Sequence, residues 1–249
     1  VNVLLKNPTV RAVTGSGYRS PKGFPFLNDY INEFGDPFSF FFYRLSKDAR
    51  FFADTMRKRY RVVSEDRDSV VFDFMGAESL PIFELVAMGS LVDLRYLKKK
   101  FPQIRQNPGL VPHFFHLLVS TGSHIAITKN DSIIHYSSDT LSKYLGKIGS
   151  RIVNNIYTQA KEGFKGRVEF SNDILKYKSF LFIPYAFTFV FPFIDAVYLC
   201  ITRRRLGYFI HVYLCLYTAV LIMYHTVLKL LNVRPTYTSY GGATPLNKI

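Results

Sequence analysis

The sequence predicts an α+β or mainly α fold, in which a membrane-peripheral N-terminal domain is followed by a two-helix transmembrane hairpin. Two apolar blocks, at Phe180–Ile201 and Tyr208–Leu231, carry the membrane prediction, and only six residues separate them. As helices they would be about 33 and 36 Å long, whereas the hydrocarbon core of a bilayer is about 30 Å thick. The roughly 175 residues that precede the blocks are enough to bury a core of their own.

The first elements of the chain are predicted from turn residues and periodicity. Residues 1–35 show no sustained hydrophobic period and contain two turn signals, Thr14-Gly15-Ser16-Gly17 and Pro21-Lys22-Gly23, which predicts an extended N-terminal arm. Asp36 and Pro37 then form a typical N-cap and first helical position. Apolar residues follow at three- and four-residue steps, which predicts an amphipathic helix of about 20 residues. These apolar residues are Phe38, Phe41, Phe42, Leu45, Ala49, Phe52 and Met56.

Two β-hairpins are predicted inside the peripheral α+β domain, which covers residues 36–172. Strand-like runs at 61–63 and 70–74 flank a charged turn, and similar runs at 125–128 and 132–136 flank a second one. Both pairs are close enough in sequence to be joined directly.

Asp139 opens the strongest amphipathic pattern in this domain. Its apolar seam runs from Leu141 to Ala160, with basic and amide residues on the other faces. Gly146 and Gly149 each cost a helix about 1 kcal/mol relative to alanine. Packing must therefore hold this helix, and close approach of another backbone is one way to do so.

The transmembrane hairpin is predicted over residues 173–232, followed by an extended basic tail at 233–249. The chain has a net charge of +14, and its basic character fits anionic phospholipid such as cardiolipin, or an acidic neighbour in an assembly. Nucleic acid is not expected as a partner, because the basic residues are scattered and no nucleic-acid-binding motif occurs. The candidate lipid-headgroup residues are Arg203, Arg204, Arg205, Lys176, Lys178, Lys229 and Arg234.

The sequence predicts neither a metal site nor catalytic residues. Its two cysteines, Cys200 and Cys215, lie in the apolar blocks and cannot form a disulfide framework for the rest of the chain. His113 and His116 could share a helix face, but no carboxylate or cysteine at a suitable spacing completes a zinc site. No hydrolase, kinase or dinucleotide motif occurs.

Asp195 and His211 form the predicted intramembrane polar pair. A charge inside a membrane segment needs a partner or has a function. If the hairpin turns near Arg204, residue 195 lies opposite residue 213, and His211 is close to the same depth. A structural hydrogen-bonded Asp195–His211 pair is therefore predicted, and a proton relay or quinone-facing pair is the alternative interpretation.

His211 and His225 suggest a possible haem or quinone site. They are 14 residues apart, which places them about 21 Å apart along one helix and close to the same face. Haem held between helices needs a second histidine for each iron, however, and the first apolar block has none.

These observations together predict a non-catalytic accessory subunit of a large membrane complex. The expected setting is the mitochondrial inner membrane, in an ATP synthase or respiratory-chain complex, with two membrane spans, neighbouring subunits as partners and bound phospholipid. A haem- or quinone-binding anchor subunit of an oxidoreductase, using His211, His225 and Asp195, is the first alternative. A channel or transporter subunit that uses Asp195 is the second.

Overall fold

The computed structural model describes residues 2–75, 89–105, 114–157 and 177–233. The helices are α1 (Asn2–Lys6), α2 (Phe26–Phe34), α3 (Pro37–Tyr43), α4 (Phe52–Arg57), α5 (Leu94–Lys100), α6 (Phe114–Val119), α7 (Leu141–Tyr157), α8 (Phe182–Phe187), α9 (Val190–Arg203) and α10 (Ile210–Leu230). The strands are β1 (Val10–Thr14), β2 (Tyr18–Arg19), β3 (Arg61–Glu65), β4 (Ser69–Asp73), β5 (Leu91–Val92), β6 (His124–Thr128) and β7 (Ile133–Ile134). Short 3₁₀ helices lie at Pro102–Arg105 and Leu206–Phe209. The predicted tail at 233–249 lies almost entirely outside the described residues.

The chain divides into two compact units that interleave along the sequence. In the described part, the sheet unit consists of residues 2–22, 45–75, 89–105 and 114–136, and the helical unit of the remaining residues. The helical unit therefore contains α2, α3 and α7 in addition to the apolar helices near the C-terminus. This division differs from the predicted boundaries, which placed a single peripheral domain at 36–172.

The sheet unit is built on a mixed five-stranded sheet in the order β3-β4-β6-β1-β5. β1 and β6 are parallel neighbours, while the other adjacent pairs are antiparallel. Val10, Val13, Val71 and Ala126 form a buried cluster on the central strands. β2 and β7 pair separately as a small parallel ribbon.

The predicted extended arm at 1–35 is wrong, because this segment contributes β1, β2 and α2. β1 lies between β5 and β6, and all its apolar residues are buried. Neither partner strand lies near β1 in sequence, so local periodicity does not reveal the pairing.

The two predicted hairpins have different outcomes. The pair at 61–63 and 70–74 is confirmed as the antiparallel strands β3 and β4. The pair at 125–128 and 132–136 does not form, because β6 lies between β1 and β4 while β7 pairs with β2. β6 is apolar on both faces and is buried by long-range neighbours on either side.

The helix predicted after Asp36 begins as expected but is shorter. The Asp36 carboxylate accepts the Ser39 backbone N–H at 2.7 Å, and Pro37 occupies the first turn. The helix ends at Tyr43, because Arg44 adopts the left-handed conformation of a C-cap with φ of +50°. The last apolar residues of the predicted helix, Phe52 and Met56, belong instead to α4, in the sheet unit.

The first apolar block does not form the continuous helix that the predicted hairpin requires. It breaks between α8 and α9, where Phe189 has φ of +57° and the Val190 N–H donates to the Thr188 carbonyl. Tyr185 and Asp195 hydrogen-bond to each other, although one straight helix would separate them by about 15 Å along its axis. The chain therefore bends at the break, and the 14 residues of α9 measure only about 21 Å.

The second apolar block does form a helix of membrane length. Leu206–Leu230, which is α10 with the 3₁₀ turn before it, is the segment among the described residues that is long and apolar enough to cross a membrane. Its buried side packs against α7, α8, α9 and α3 within the helical unit. The residues of this buried side are His211, Leu214, Cys215, Thr218, Ala219 and His225.

Replacing Gly146 by alanine is expected to raise the free energy of unfolding of the isolated chain by about 0.5–1 kcal/mol. Gly146 lies inside α7, and a Cβ added there would meet no heavy atom of the described chain within 4 Å. Chemical denaturation in detergent, followed by far-UV circular dichroism, measures the change.

Gly207→Ala is the contrasting variant for this experiment. A Cβ at Gly207 would lie 2.6 Å from the Phe26 ring, so we expect a loss of about 1–3 kcal/mol from overpacking. If the Gly146→Ala variant unfolded as easily as the Gly207→Ala variant, the explanation from the higher helix propensity of alanine would be wrong.

Candidate functional site: a buried polar network in the helical unit

Five elements of the helical unit meet at a chain of polar side chains. His211 lies in the first turn of α10, Asp195 in α9 and Tyr185 in α8. Tyr30 comes from α2, and Arg44 is the C-cap of α3. Tyr30 and His211 are fully buried, whereas the Arg44 and Asp195 side chains are 38% and 17% exposed. The network therefore begins at the surface of the unit and ends in its interior.

The contacts form one continuous sequence of hydrogen bonds. Arg44 Nη1 lies 2.7 Å from Asp195 Oδ1, and the Tyr185 hydroxyl lies 2.6 Å from Asp195 Oδ2. The same hydroxyl is 3.1 Å from His211 Nε2. The Tyr30 hydroxyl is 2.6 Å from His211 Nδ1. Every bond links side chains from different elements, so the network joins α2, α3, α8, α9 and α10.

The direction of these bonds follows from the charge of Asp195. A carboxylate paired with a guanidinium only accepts hydrogen bonds, so Tyr185 donates its proton to Asp195. The Tyr185 oxygen can then accept the proton of His211 Nε2, which makes Nδ1 the acceptor for Tyr30. His211 is thus assigned as neutral, with its proton on Nε2. Both ring nitrogens are engaged, and Cys215 Sγ lies 3.3 Å from Nε2.

The predicted Asp195–His211 pair is arranged through an intermediate side chain. The structure places the two residues in one network, but the Tyr185 hydroxyl lies between them. Sequence reasoning assigned Tyr185 to the apolar block, although its polar hydroxyl is the signal that could have identified it. Arg44, the charged partner of Asp195, lies 151 residues earlier and gave no sequence signal.

Burial and ring contacts hold the inner end of the network. The Tyr30 ring lies 6.0 Å from the His211 ring and 6.5 Å from the Tyr144 ring. Burial raises the pKa of Tyr30 well above its usual value, and the phenol therefore remains a hydrogen-bond donor. At the outer end, the Arg44 guanidinium lies 4.5 Å from the Phe40 ring centroid, within cation–π distance.

A second polar cluster fixes the connection between α9 and α10. Arg203 Nε lies 2.7 Å from Glu33 Oε1, and Glu33 is completely buried. The Tyr208 hydroxyl donates to the other oxygen of Glu33. Arg205 forms an ion pair with Asp29, one turn earlier on α2. Both carboxylates lie on α2, so this helix neutralises two of the three arginines.

These contacts change the expectation for the predicted lipid-headgroup residues. Arg203 is mostly buried in its pair with Glu33, and Arg205 contacts Asp29 while remaining 44% exposed. Arg204, an exposed C-cap, is the arginine of this connection that is placed to meet an anion outside the chain. Lys178 and Lys229 donate to the carbonyls of Phe42 and Ile156. Lys176 and Arg234 lie outside the described residues.

His225 has a different environment from His211. It is 6% exposed, and its ring meets Tyr157 and Tyr224 edge-on. Its Nδ1 is buried and has no hydrogen-bond partner among the described residues. Buried polar atoms normally have a hydrogen-bond partner, so a ligand or a water molecule would have to provide one for this nitrogen. His211, by contrast, has no nitrogen available to a haem iron.

The described residues contain no group of three or more metal-ligating side chains. No family model, curated protein or solved structure matches the chain.

Proposed function

We propose that the protein is an integral membrane subunit with a structural, non-catalytic role in a larger membrane complex. The observation that carries the proposal is the apolar exterior of α9 and α10. Most of the large apolar side chains that are exposed in the described chain lie between Tyr177 and Val233. Water does not stabilise such a surface, whereas acyl chains or neighbouring membrane helices do.

The distribution of these side chains on α10 supports membrane insertion. The outer face of the helix carries Tyr213, Val220, Met223, Tyr224, Val227 and Leu230, all exposed. The inner face, which carries His211, Thr218 and His225 as well as apolar residues, packs against the rest of the helical unit. Its basic residues lie at the ends: Arg203–Arg205 precede it, and Lys229 lies in its last turn. The separation of these ends, about 30 Å or more by helical rise, matches the hydrocarbon thickness.

The closed form of the polar network supports a structural role. Its polar groups form hydrogen bonds with one another, and Tyr30, at its inner end, is not exposed to solvent. A proton relay would need an opening at both ends. A network that instead links five elements holds the fold in one arrangement.

The setting we propose is an energy-transducing complex of the mitochondrial inner membrane, such as an ATP synthase or a respiratory-chain complex. The strongly basic chain and the scarcity of cysteine support this setting. The proposed partners are neighbouring subunits and anionic phospholipid, whose headgroups would lie at the same membrane depth as Arg204.

Native electrophoresis of gently solubilised membranes, with mass spectrometry of the co-migrating proteins, tests the proposal. We expect the chain to resist carbonate extraction and to migrate within a larger complex. The proteins that co-migrate with it would then identify that complex. Release by carbonate, or migration at the mass of a monomer or dimer, would contradict the proposal.

Asp195→Asn separates a structural role from a transport role. Asparagine keeps an acceptor for Tyr185 but removes the charge that pairs with Arg44. Because Arg44 is partly exposed, we expect a loss of about 1–2 kcal/mol in stability, and a smaller amount of assembled complex. The activity per assembled complex should stay unchanged. Normal assembly with lost ion flux would instead favour a channel or transporter.

A further inference from the structure

α9 crosses the start of α10 instead of running beside it. The Phe193 ring, near the beginning of α9, lies 5.9 Å from the ring of Phe209, which ends the 3₁₀ turn before α10. Cys200 lies about 10 Å farther along α9 by helical rise, and its Sγ is 3.6 Å from the Leu206 carbonyl oxygen. Two well-separated points of α9 therefore meet the same short turn.

An antiparallel hairpin would bring different residues together. With a turn near Arg204, residue 193 would lie opposite residue 215, about 9 Å along α10 from Phe209. Helical side chains also lean toward the N-terminus of their own helix, so the two rings would lean apart in antiparallel helices. The observed ring contact therefore requires α9 to turn away from the axis of α10.

This crossing sets the depth of α9 if α10 spans the membrane. Arg203–Arg205 precede α10 and mark the headgroup level of that span. α9 meets the chain at Leu206–Phe209, within about 10 Å of this level by residue rise. Interfacial helices lie in the membrane plane at such a depth, with their apolar face about 5–10 Å into the boundary between headgroups and acyl chains.

The outer side of α9 is apolar along its whole length. The side that packs into the helical unit consists of Pro192, Ala196, Leu199 and Cys200. The residues on the other side, which we call the α9 outer face, are each more than half exposed. They are Val190, Phe191, Phe193, Ile194, Tyr198 and Ile201. Contact between such a face and water is unfavourable.

The α9 outer face continues into the face of α10 that we propose to meet acyl chains. Phe193 contacts Phe209, and Tyr213 follows one helical turn later. Phe209 and Tyr213 are 41% and 49% exposed. The Tyr198 hydroxyl is the hydrogen-bonding side-chain group of the α9 outer face, and tyrosine is enriched where membrane and water meet. Acyl chains can therefore cover both faces as one surface.

An exposed cation lies at the end of α9. Arg203 and Arg205 pair with Glu33 and Asp29 of α2, whereas Arg204 is exposed at the C-cap. An apolar helix face beside a cation is typical of helices that lie on anionic membranes. The charge therefore favours anionic headgroups over neutral ones.

We propose that α9 is an interfacial helix that lies in the membrane plane, with the α9 outer face among the upper acyl chains and Arg204 at the headgroups of anionic phospholipid. This inference rests on the proposed membrane insertion of α10. It replaces the second predicted span by a membrane-surface helix, and it identifies the class of lipid that the chain binds.

Single-tryptophan variants measure the depth of α9, because the chain contains no tryptophan. Val190→Trp and Ile201→Trp lie on the same face, about 16 Å apart along the helix. Each variant of the whole chain is reconstituted into vesicles of phosphatidylcholine and cardiolipin, and quenching by lipids brominated at different acyl positions reports its depth. We expect both tryptophans at the same depth, about 5–10 Å into the boundary between headgroups and acyl chains.

Val220→Trp is the matched control for this measurement. Val220 lies on the exposed face of α10 and near the middle of that helix. Its tryptophan should be quenched most strongly by bromines near the ends of the acyl chains. Shallow or absent quenching of Val220→Trp contradicts the membrane insertion of α10, and with it the proposed function.

Two results with a deeply quenched Val220→Trp overturn the inference and leave the proposed function in place. If Val190→Trp lies about 16 Å deeper than Ile201→Trp, α9 enters the membrane instead of lying in its plane. If neither α9 variant is quenched, water or a second copy of the chain covers the α9 outer face.

Removing the Arg204 charge tests the headgroup assignment. Asparagine tolerates the left-handed conformation of this C-cap, whose φ is +53°. Arg204→Asn should retain about fivefold less cardiolipin than the unsubstituted chain during purification in detergent. Arg67→Asn, in the turn between β3 and β4, is the control and should retain the unsubstituted amount. Equal retention by the two variants would overturn the assignment of Arg204.

Discussion

Replacing Glu33 by alanine is expected to lower the free energy of unfolding by about 3–5 kcal/mol. Glu33 is fully buried, and it accepts bonds from Arg203 and from the Tyr208 hydroxyl. Its removal takes away the carboxylate that faces the Arg203 guanidinium, a charged group that is only 16% exposed. Chemical denaturation of the detergent-solubilised chain, followed by far-UV circular dichroism, measures the loss.

The neighbouring ion pair provides a matched control for Glu33. Asp29 of α2 pairs with Arg205, which lies in the connection that follows α9, and the Arg205 side chain is 44% exposed. Solvent screens such a pair, and Arg205→Ala is expected to cost less than about 1 kcal/mol. Equal losses in the free energy of unfolding for Glu33→Ala and Arg205→Ala would show that burial does not decide how much each ion pair contributes. A Glu33→Leu, Arg203→Leu double variant should recover much of the loss, because it removes both charges.

Replacing His211 by leucine is expected to cost about 2–4 kcal/mol. The substitution removes two hydrogen bonds and leaves the buried Tyr30 hydroxyl without the acceptor that Nδ1 provides. It also removes the hydrogen-bonded link from Tyr30 of α2 to Tyr185 of α8. The same denaturation experiment measures the effect, and the amount of assembled complex in membranes should fall with it.

His225→Leu is the matched control on the same helix. His225 Nδ1 is buried and unpartnered among the described residues, so leucine removes an unsatisfied polar atom. We expect a change of less than about 1 kcal/mol, in either direction. If both variants instead abolish a visible absorption band of the purified complex, the two histidines hold haem and the structural explanation of His211 is wrong.

Local sequence patterns determined the elements whose contacts are close in sequence. Asp36 and Pro37 determined the start of α3, the strand-like runs around a charged turn determined the β3–β4 hairpin, and the apolar seam after Asp139 determined α7. The length and composition of the second apolar block likewise determined α10 as a helix that can cross a membrane. In each case, the responsible residues lie within a few helical turns or one short loop of each other.

Only the tertiary structure decided the arrangements that join distant parts of the chain. Tyr30 meets His211 across 181 residues, and Arg203 meets Glu33 across 170. The central position of β1 and the bend between α8 and α9 also depend on neighbours that no local period specifies. Asp195 and His211 were identifiable as costly polar groups in apolar blocks, because burying them needs partners wherever they lie. Their partners proved to be Tyr185, Arg44 and Tyr30. The three-dimensional packing, which brings five elements to one point, selected these side chains.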